Sequence, residues 1–254
     1  MPSPGRAEPL LVVRDLRKMF PVAGRFVTVL DGLRFHAKEG ELICILGRSG
    51  CGKSTLLKIL AGFLAPSAGQ VLLEGRPVDG PSPERCVVFQ EDALFTWLTV
   101  GENIGFGLRV KGLDRTSRER AVERYLSLIG LTEFRDYLPQ AISGGMKQRV
   151  SLARVLILEP RVLLMDEPFA SLDAQTREEM QSLLLSLRRR LSQTILFVTH
   201  DVNEAATLAD RILLMGKEPG WIRKDIAVTL PRPRAREDPA YIDLCSRLHR
   251  LVRD

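Results

Sequence analysis

The run Gly47-Arg-Ser-Gly-Cys-Gly-Lys53-Ser54 fits the pattern G-x-x-x-x-G-K-[ST]. It follows the apolar residues 42–46 and leads into residues 55–60, a helix-forming stretch. Strand, glycine-rich turn and helix in that order distinguish a working phosphate-binding loop from a chance match. The chemistry follows from the residue types. Glycines let consecutive backbone N–H groups turn inward around phosphate oxygens, and the helix N-terminus adds positive potential. Lys53 is the cation that reaches β- and γ-phosphates, and the Ser54 hydroxyl suits Mg²⁺. Gly47, Arg48, Ser49, Gly50, Cys51, Gly52, Lys53, Ser54 and Thr55 are therefore the first candidate site.

A second group lies where another apolar run ends. Residues 162–165, Val-Leu-Leu-Met, lead into Asp166-Glu167, and in open α/β sheets ligands bind beyond the carboxyl ends of strands. Asp166 is suited to hold Mg²⁺, directly or through water, and Glu167 to polarise the water that attacks a γ-phosphate. Alone, such a pair reads first as a helix cap. Beside a phosphate-binding loop, the metal and water roles take precedence.

These residues need strands and helices in alternation to position them. Short β-type runs at residues 10–13 and 41–46 are punctuated by Gly24, Gly32, Gly40, Gly69, Gly75 and Gly80. In the middle, Thr116-x-x-Glu119 has the capping-box pattern, and Ala121, Val122, Tyr125 and Ile129 follow at helical spacing. Val150, Ala153, Leu156 and Ile157 predict a second amphipathic helix ending before Pro160. The fully apolar run 162–165 suits a parallel sheet covered on both faces. A helix stripe (Met180, Leu183, Leu184, Leu187, Leu191), a strand (194–198), a helix (201–209) and a strand (211–215) follow. The alternation predicts an α/β layered core with the helical middle inserted into it. From Pro231 the tail is rich in Arg and Pro, then amphipathic over 241–252. Its arginines, Arg232, Arg234, Arg236, Arg247, Arg250 and Arg253, read as a solvated face, with lipid headgroup contact as the alternative.

The 254 residues are 45% hydrophobic and 27% charged, which excludes disordered and fibrous classes. Lys plus Arg number 37 against 31 Asp plus Glu, a net charge of +6. The excess is spread along the whole chain, so it points only weakly to anionic surfaces. No stretch approaches the ~20 apolar residues of a membrane-spanning helix, and the opening MPSPGRAEPL lacks the apolar core of a signal peptide. Cys44, Cys51, Cys86 and Cys245 show neither CxxC nor zinc-type spacing, which fits a reducing, cytosolic compartment.

Taken together, the motifs resemble the ATP-binding cassette (ABC) ATPases along most of the chain. Ser143-Gly144-Gly145-Met146-Lys147-Gln148-Arg149 is similar to that family's signature. Gln90 stands at its Q-loop, Ser171-Leu172-Asp173 at its D-loop, and His200, after Phe197-Val-Thr, in its switch position. The resemblance implies a P-loop NTPase (RecA-like) α/β core with an antiparallel β subdomain and an inserted helical subdomain. The ATPase domain would span 9–232, its helical part approximately 91–160, and 233–254 would be a short tail. ATP and Mg²⁺ are the implied ligands. Glu167, His200 and Gln90 take catalytic roles, and Ser54, Gln90 and Asp166 hold the metal. Phe20, after Arg17-Lys-Met, is the implied adenine-stacking ring, with Phe26 nearby as the alternative.

In this family two cassettes dimerise head to tail, and the signature of one caps the γ-phosphate held by the other. Ser143, Gly144 and Gly145 suit that role as an anion-binding helix N-terminus without bulky side chains, and Asp173 joins the nucleotide contacts. One chain thus carries two half-sites and needs a second ABC ATPase subunit, taken as an identical copy because both half-sites look intact. Ile142 and Met146 replace the commoner Leu and Gln of the signature; neither puts ATP binding in doubt.

No long heptad insertion lies between Ser54 and Ser143, unlike in coiled-coil repair and chromosome-maintenance ATPases, and there is one cassette where translation-associated relatives carry two. Phe89-Gln-Glu-Asp-Ala-Leu-Phe-Thr-Trp-Leu98, the signature, Met165-Asp-Glu-Pro-Phe-Ala-Ser-Leu-Asp173 and Leu230-Pro-Arg-Pro-Arg234 resemble the nitrate/sulfonate/taurine importer subgroup. The implied protein is an ATP-hydrolysing subunit, peripheral on the cytoplasmic side of the inner membrane. It would dock on integral-membrane permease subunits, act indirectly with a solute-binding protein, and bind no nucleic acid. Phe95, Trp97 and Leu98 would anchor the permease's cytoplasmic helix or else pack the helical subdomain. The rival readings are an exporter ATPase and a soluble ABC ATPase without a permease.

Overall fold

The computed structural model describes residues 9–90 and 93–253. Most of the MPSPGRAEPL opening, Glu91 and Asp92 of the 89–98 stretch, and Asp254 lie outside the described residues. In chain order the elements begin with β1 (Leu11–Val22), β2 (Arg25–Ala37), β3 (Leu42–Leu46), α1 (Lys53–Leu60), β4 (Ala68–Leu73), β5 (Arg76–Pro77) and β6 (Arg85–Val88). Helices α2 (Val100–Val110), α3 (Arg115–Ile129) and α4 (Gly144–Leu156) follow, then β7 (Val162–Asp166) and α5 (Ala174–Leu191). The chain ends with β8 (Thr194–Thr199), α6 (Val202–Leu208), β9 (Arg211–Met215), β10 (Ile222–Ala227) and α7 (Pro239–Arg253). It divides into two compact units, one running through Ser82 and resuming at Ser192, the other Pro83–Leu191.

In the first unit an antiparallel sheet has the order β2-β1-β4-β5. Ala23 and Gly24, at φ 48 and 78, close the β1–β2 hairpin, the positive-φ pair that matches strand twist in two-residue hairpin loops. Strands β10-β9-β3-β8 lie in a second sheet, β3 parallel to both β8 and β9, and β10 antiparallel on the edge. Every residue of β3 and of β8 is buried, which explains their unbroken apolar character.

In the second unit β6 and β7 pair in parallel, from Arg85↔Val162 to Val88↔Met165, and α2 to α5 are its helices. The capping box stands at α2: Glu102 N–H donates to Thr99 Oγ1 (3.2 Å) and Thr99 N–H to the Glu102 carboxylate (2.8 Å). The one expected at Thr116–Glu119 does not form. Asp114 caps α3 through Ser117 N–H, which puts Thr116 inside the first turn. Fully buried Asn103 ties the preceding loop down: it accepts from Phe95 N–H and donates to the carbonyls of Phe95, Leu98 and Thr99. Among the described residues no helix is long and apolar enough to cross a membrane.

Candidate nucleotide site

In the first unit, β3 delivers the chain to Gly47 and α1 begins at Lys53, so the glycine-rich loop joins a buried strand to a helix N-terminus. Gly52 is the N-cap at φ 94, and a Cβ there would stand 2.6 Å from Leu30 Cδ2. Neither its backbone nor its surroundings admit a side chain. Gly50 has φ 82 but open space around it. Arg48, Ser49 and Gly50 are exposed, while Cys51 is buried beneath them. Lys53 is only 5% exposed, and its Nζ donates to Gly47 O (2.8 Å) and Arg48 O (3.1 Å). The ammonium is thus held inside the loop by the carbonyls of its first two residues. Ser54 is exposed and Thr55 half-buried at the start of α1.

The pairing Leu46↔Thr199 closes the β3–β8 register, so Gly47 and His200 leave adjacent parallel strands at their carboxyl ends. His200 is exposed between two fixed neighbours. Buried Thr199 donates its hydroxyl to Glu204 (2.5 Å) and accepts from Asp201 N–H (2.9 Å). Asp201 then caps α6 through Asn203 N–H (2.7 Å). On the hairpin, Phe20 is half-buried with the Lys18 ammonium 5.0 Å from its ring centroid, whereas Phe26 is 74% exposed.

In the second unit the last β6–β7 pair, Val88↔Met165, brings the segment of Gln90 beside that of Asp166 and Glu167. Gln90 is exposed, and both carboxylates are half-buried. Glu167 takes φ 47, a left-handed conformation uncommon for a non-glycine residue and concentrated at functional sites. The following Pro168 carbonyl accepts from Gln148 Nε2 at 2.7 Å, and Gln148 is 4% exposed. The signature helix is therefore bonded to the backbone just after Glu167. Gln148 was not among the site residues expected from sequence, although an amide among the apolar positions of α4 is a signal that could have found it.

Ser143 caps α4 by accepting from Met146 N–H. The two signature glycines are not equivalent. A Cβ on Gly144 would meet nothing within 4 Å, whereas one on Gly145 would stand 2.6 Å from Thr176 Cγ2. Thr176 is itself fixed, since its hydroxyl (2.6 Å) and N–H (3.0 Å) donate to the Asp173 carboxylate. Those hydrogen bonds hold the Asp173 carboxyl below its ordinary range. Gly144 faces open space and Gly145 admits a neighbour.

A sequence model of the ABC transporter family matches residues 30–170. This chain belongs to that family. It is 47% identical over 216 residues to the taurine import ATP-binding protein of Pelagibacter ubique, covering 85% of this chain and 82% of the relative. Identity is 45% over 249 residues to the bicarbonate transport ATP-binding protein of Synechococcus elongatus, covering 95% and 89%. The nitrate import ATP-binding protein of Synechocystis matches at 42% over 221 residues, covering 87% and 83%. Among solved structures, cbiO1 of Clostridium perfringens, part of the ABC transporter complex cbiONQ, superposes with a TM-score of 0.80 at 30% identity, covering 96% of this chain and 98% of that one. A dimeric ATP-binding cassette in a post-hydrolysis state with ADP and Pi gives 0.74 at 27%, covering 87% and 100%. The α/β fold is that of a P-loop NTPase, and the protein is an ABC-type ATPase that binds ATP.

In this ABC ATPase the tail departs from the solvated face expected of it. Arg236, Arg247, Arg250 and Arg253 are exposed, but Arg232 and Arg234 turn inward onto the end of α6. Arg234 Nη1 donates to the carbonyls of Ala206 (2.7 Å), Thr207 (3.3 Å) and Ala209 (2.8 Å). Arg232 donates to Leu208 O and pairs with Asp210 (2.6 Å). Burial, reinforced by the like charge of Arg232, pushes the Arg234 guanidinium down to about 10. In the aromatic cluster after Gln90 the Phe95 and Trp97 rings are in contact, 5.4 Å between centroids, with Leu98 half-buried. The half-buried Phe95 ring packs 4.5 Å from Phe106, while Trp97 is 74% exposed.

Proposed function

We propose that this ABC ATPase energises an importer for nitrate, a sulfonate, taurine or a related small solute. Its similarity, across most of its length, to taurine, nitrate and bicarbonate transport ATP-binding proteins carries this reading. Two such subunits, taken as identical copies, sit at the cytoplasmic face of the inner membrane on integral permease subunits, and a solute-binding protein delivers the cargo. The exposed Trp97 is the anchor offered to the permease.

The phosphate-binding loop from Gly47 to Thr55 wraps the triphosphate, and Lys53 sets its charge against the β- and γ-phosphates. Phe20 stacks on adenine. His200 donates to the γ-phosphate, and Glu167 accepts a proton of the attacking water and orients it. Ser143, Gly144, Gly145 and Asp173 act on the nucleotide of the partner subunit. Because ATP bridges two half-sites only in the closed dimer, binding biases closure by that differential affinity, and hydrolysis releases it.

Mg²⁺ suits the oxygen donors of Ser54, Gln90 and Asp166. Among the described residues no cluster of three or more His, Cys, Asp or Glu could cage a metal. The Asp166 carboxylate, the Ser54 hydroxyl and the Gln90 amide oxygen would hold it, and a few protein ligands alongside substrate phosphates and water are the usual manner of Mg²⁺ binding. Held there, the ion would supply positive charge to offset that of the triphosphate.

Purification from native membranes tests the role. A multi-span permease in near-equal amount, whose solute-binding protein takes up one of these solutes, supports it; recovery only from the soluble fraction overturns the importer reading. Glu167→Gln tests the chemistry, with ATP binding retained and hydrolysis strongly slowed. Wild-type turnover in that variant would remove Glu167 from the reaction.

A further inference from the structure

We propose that Arg232 and Arg234 are positioning residues for ATP hydrolysis, holding α6 from its carboxyl end so that His200, at its amino end, meets the nucleotide. This inference rests on reading His200 as a γ-phosphate contact. Helix α6 has 7 residues, too few to be stable by itself, so its position is set by the packing of its buried residues Val202, Ala205, Ala206 and Leu208 together with what holds its ends. The last carbonyls of a helix have no partner within it. Here those of Ala206, Thr207 and Leu208, with Ala209 just beyond, are all taken by the two guanidinium groups. The positive charges also oppose the negative end of the helix dipole.

The clamp extends in both directions. Asp210, paired with Arg232, accepts from Leu42 N–H (2.8 Å) at the start of β3, the strand that leads to the phosphate-binding loop. Along α6, buried Tyr241 of α7 lies in hydrogen-bond reach of Asn203 O (3.2 Å) near the amino end and of Thr207 Oγ1 (3.0 Å) near the carboxyl end. Asn203 N–H bonds to Asp201, the residue after His200. A slip of α6 along its axis by one residue is about 1.5 Å, and Asp201 would carry His200 with it. The tail therefore acts on the switch from behind, without touching the nucleotide.

The test uses the full chain, with Arg234→Gln, Arg234→Lys, Tyr241→Phe and His200→Ala, and each double with His200→Ala. Arg234→Gln is expected to lower kcat about tenfold, a fraction of the roughly hundredfold that a full 1 Å misplacement can cost, because Arg232 and Tyr241 still hold α6, while KM for ATP moves less than twofold. Combined with His200→Ala it should add less than a further twofold, because a residue acting through His200 has nothing left to act on. The chain has 3 histidines, so the His200 imidazole proton resonance is assignable by its loss in His200→Ala. It should shift in Arg234→Gln while that of His36 stays. Should Arg234→Gln not fold, Arg234→Lys and Tyr241→Phe carry the same comparison. An unmoved His200 resonance, or losses that simply add in the His200→Ala background, overturns the clamp. If His200→Ala itself keeps wild-type kcat, the reading of His200 falls and the clamp falls with it. If only the tail variants keep it, the clamp alone is wrong.

Discussion

Replacing Gly144 and Gly145 by alanine, one at a time, separates a glycine that leaves room for a ligand from one that leaves room for the protein. On Gly145 the added methyl would lie 2.6 Å from Thr176 Cγ2, far inside contact distance. Thr176 cannot swing away freely, because Asp173 holds both its hydroxyl and its N–H. Overpacking of this kind costs about 1–3 kcal/mol, offset in part by up to ~1 kcal/mol of helix propensity gained on leaving glycine. A net loss of about 1–2 kcal/mol corresponds to a fall in Tm of roughly 2–8 °C for a chain of this size. Thr176→Ser removes the offending methyl and keeps the hydroxyl for Asp173, so Gly145→Ala/Thr176→Ser should recover most of that loss. Gly144→Ala meets open space and should melt at or slightly above the wild-type temperature. Its defect should instead be in ATP hydrolysis, since in the proposed dimer the signature face approaches the nucleotide of a second subunit. Thermal melts followed by circular dichroism, with ATPase rates on the same preparations, decide the matter. Equal melting of Gly145→Ala and wild type, or no recovery with Thr176→Ser, would refute the packing argument. Full ATPase activity in Gly144→Ala would remove that glycine from the nucleotide site.

Trp97→Ala should leave the basal ATPase of the isolated chain within twofold and weaken association with the permease by about 2 kcal/mol or more, as for a buried aromatic anchor; undiminished co-purification would reassign the ring to ordinary surface. Phe20→Ala should raise the KM for ATP on the order of tenfold if its ring carries the base, with Phe26→Ala near wild type; the opposite ranking would move the stack to Phe26. Tyr125, 2% exposed and donating to Leu156 O (2.8 Å), has its pKa pushed up by burial to about 12. The neutral phenol is favoured in the folded state, so its contribution is intact below pH 10 and falls between pH 10 and 12, by on the order of 2 kcal/mol. Denaturant unfolding of wild type against Tyr125→Phe across that range should show the difference narrowing as pH rises, and a constant gap would count against it.

What was legible in the sequence was whatever a short window specifies. The phosphate-binding loop is such a case, since its glycines and Lys53 lie on consecutive positions and its strand, buried on every residue, must be continuously apolar. The strand ahead of Asp166 is another, with four buried apolar residues in sequence. The β1–β2 hairpin was reduced to residues 10–13 because register shifts between Val13 and Met19 break its alternation, and because half of it faces solvent. Strand β10, Ile-Arg-Lys-Asp-Ile-Ala on a sheet edge, carries the charges that edge strands use against mispairing, and those charges hide it. The misplaced capping box is a contest between near-equals. Thr99-x-x-Glu102 and Thr116-x-x-Glu119 share one pattern, and Asp114, as good a cap as threonine, started α3 two residues earlier than the second would.

Of the tail arginines, Arg232 and Arg234 depart from the solvated face for a different reason. In the sequence, Arg232 and Arg234 are cations in a proline-rich run, which exposes charge in most proteins. Their partners are backbone carbonyls of a helix that ends at Leu208, and a carbonyl left over at a helix end has no residue type to announce it. Such a need becomes visible only once the helix end has a place and the distant chain returns to it. For the same reason the proposed clamp depends on geometry and not only on charge. One Lys ammonium cannot reproduce the planar fork that sets Nη1 on the carbonyls of Ala206, Thr207 and Ala209 and Nε on that of Leu230 (3.1 Å). Arg234→Lys should therefore retain the charge at the end of α6 yet lose part of its register, with a kcat between those of wild type and Arg234→Gln. A lysine variant indistinguishable from wild type in rate and in the His200 resonance would mean that charge alone suffices, and that the carbonyl contacts do not fix the switch.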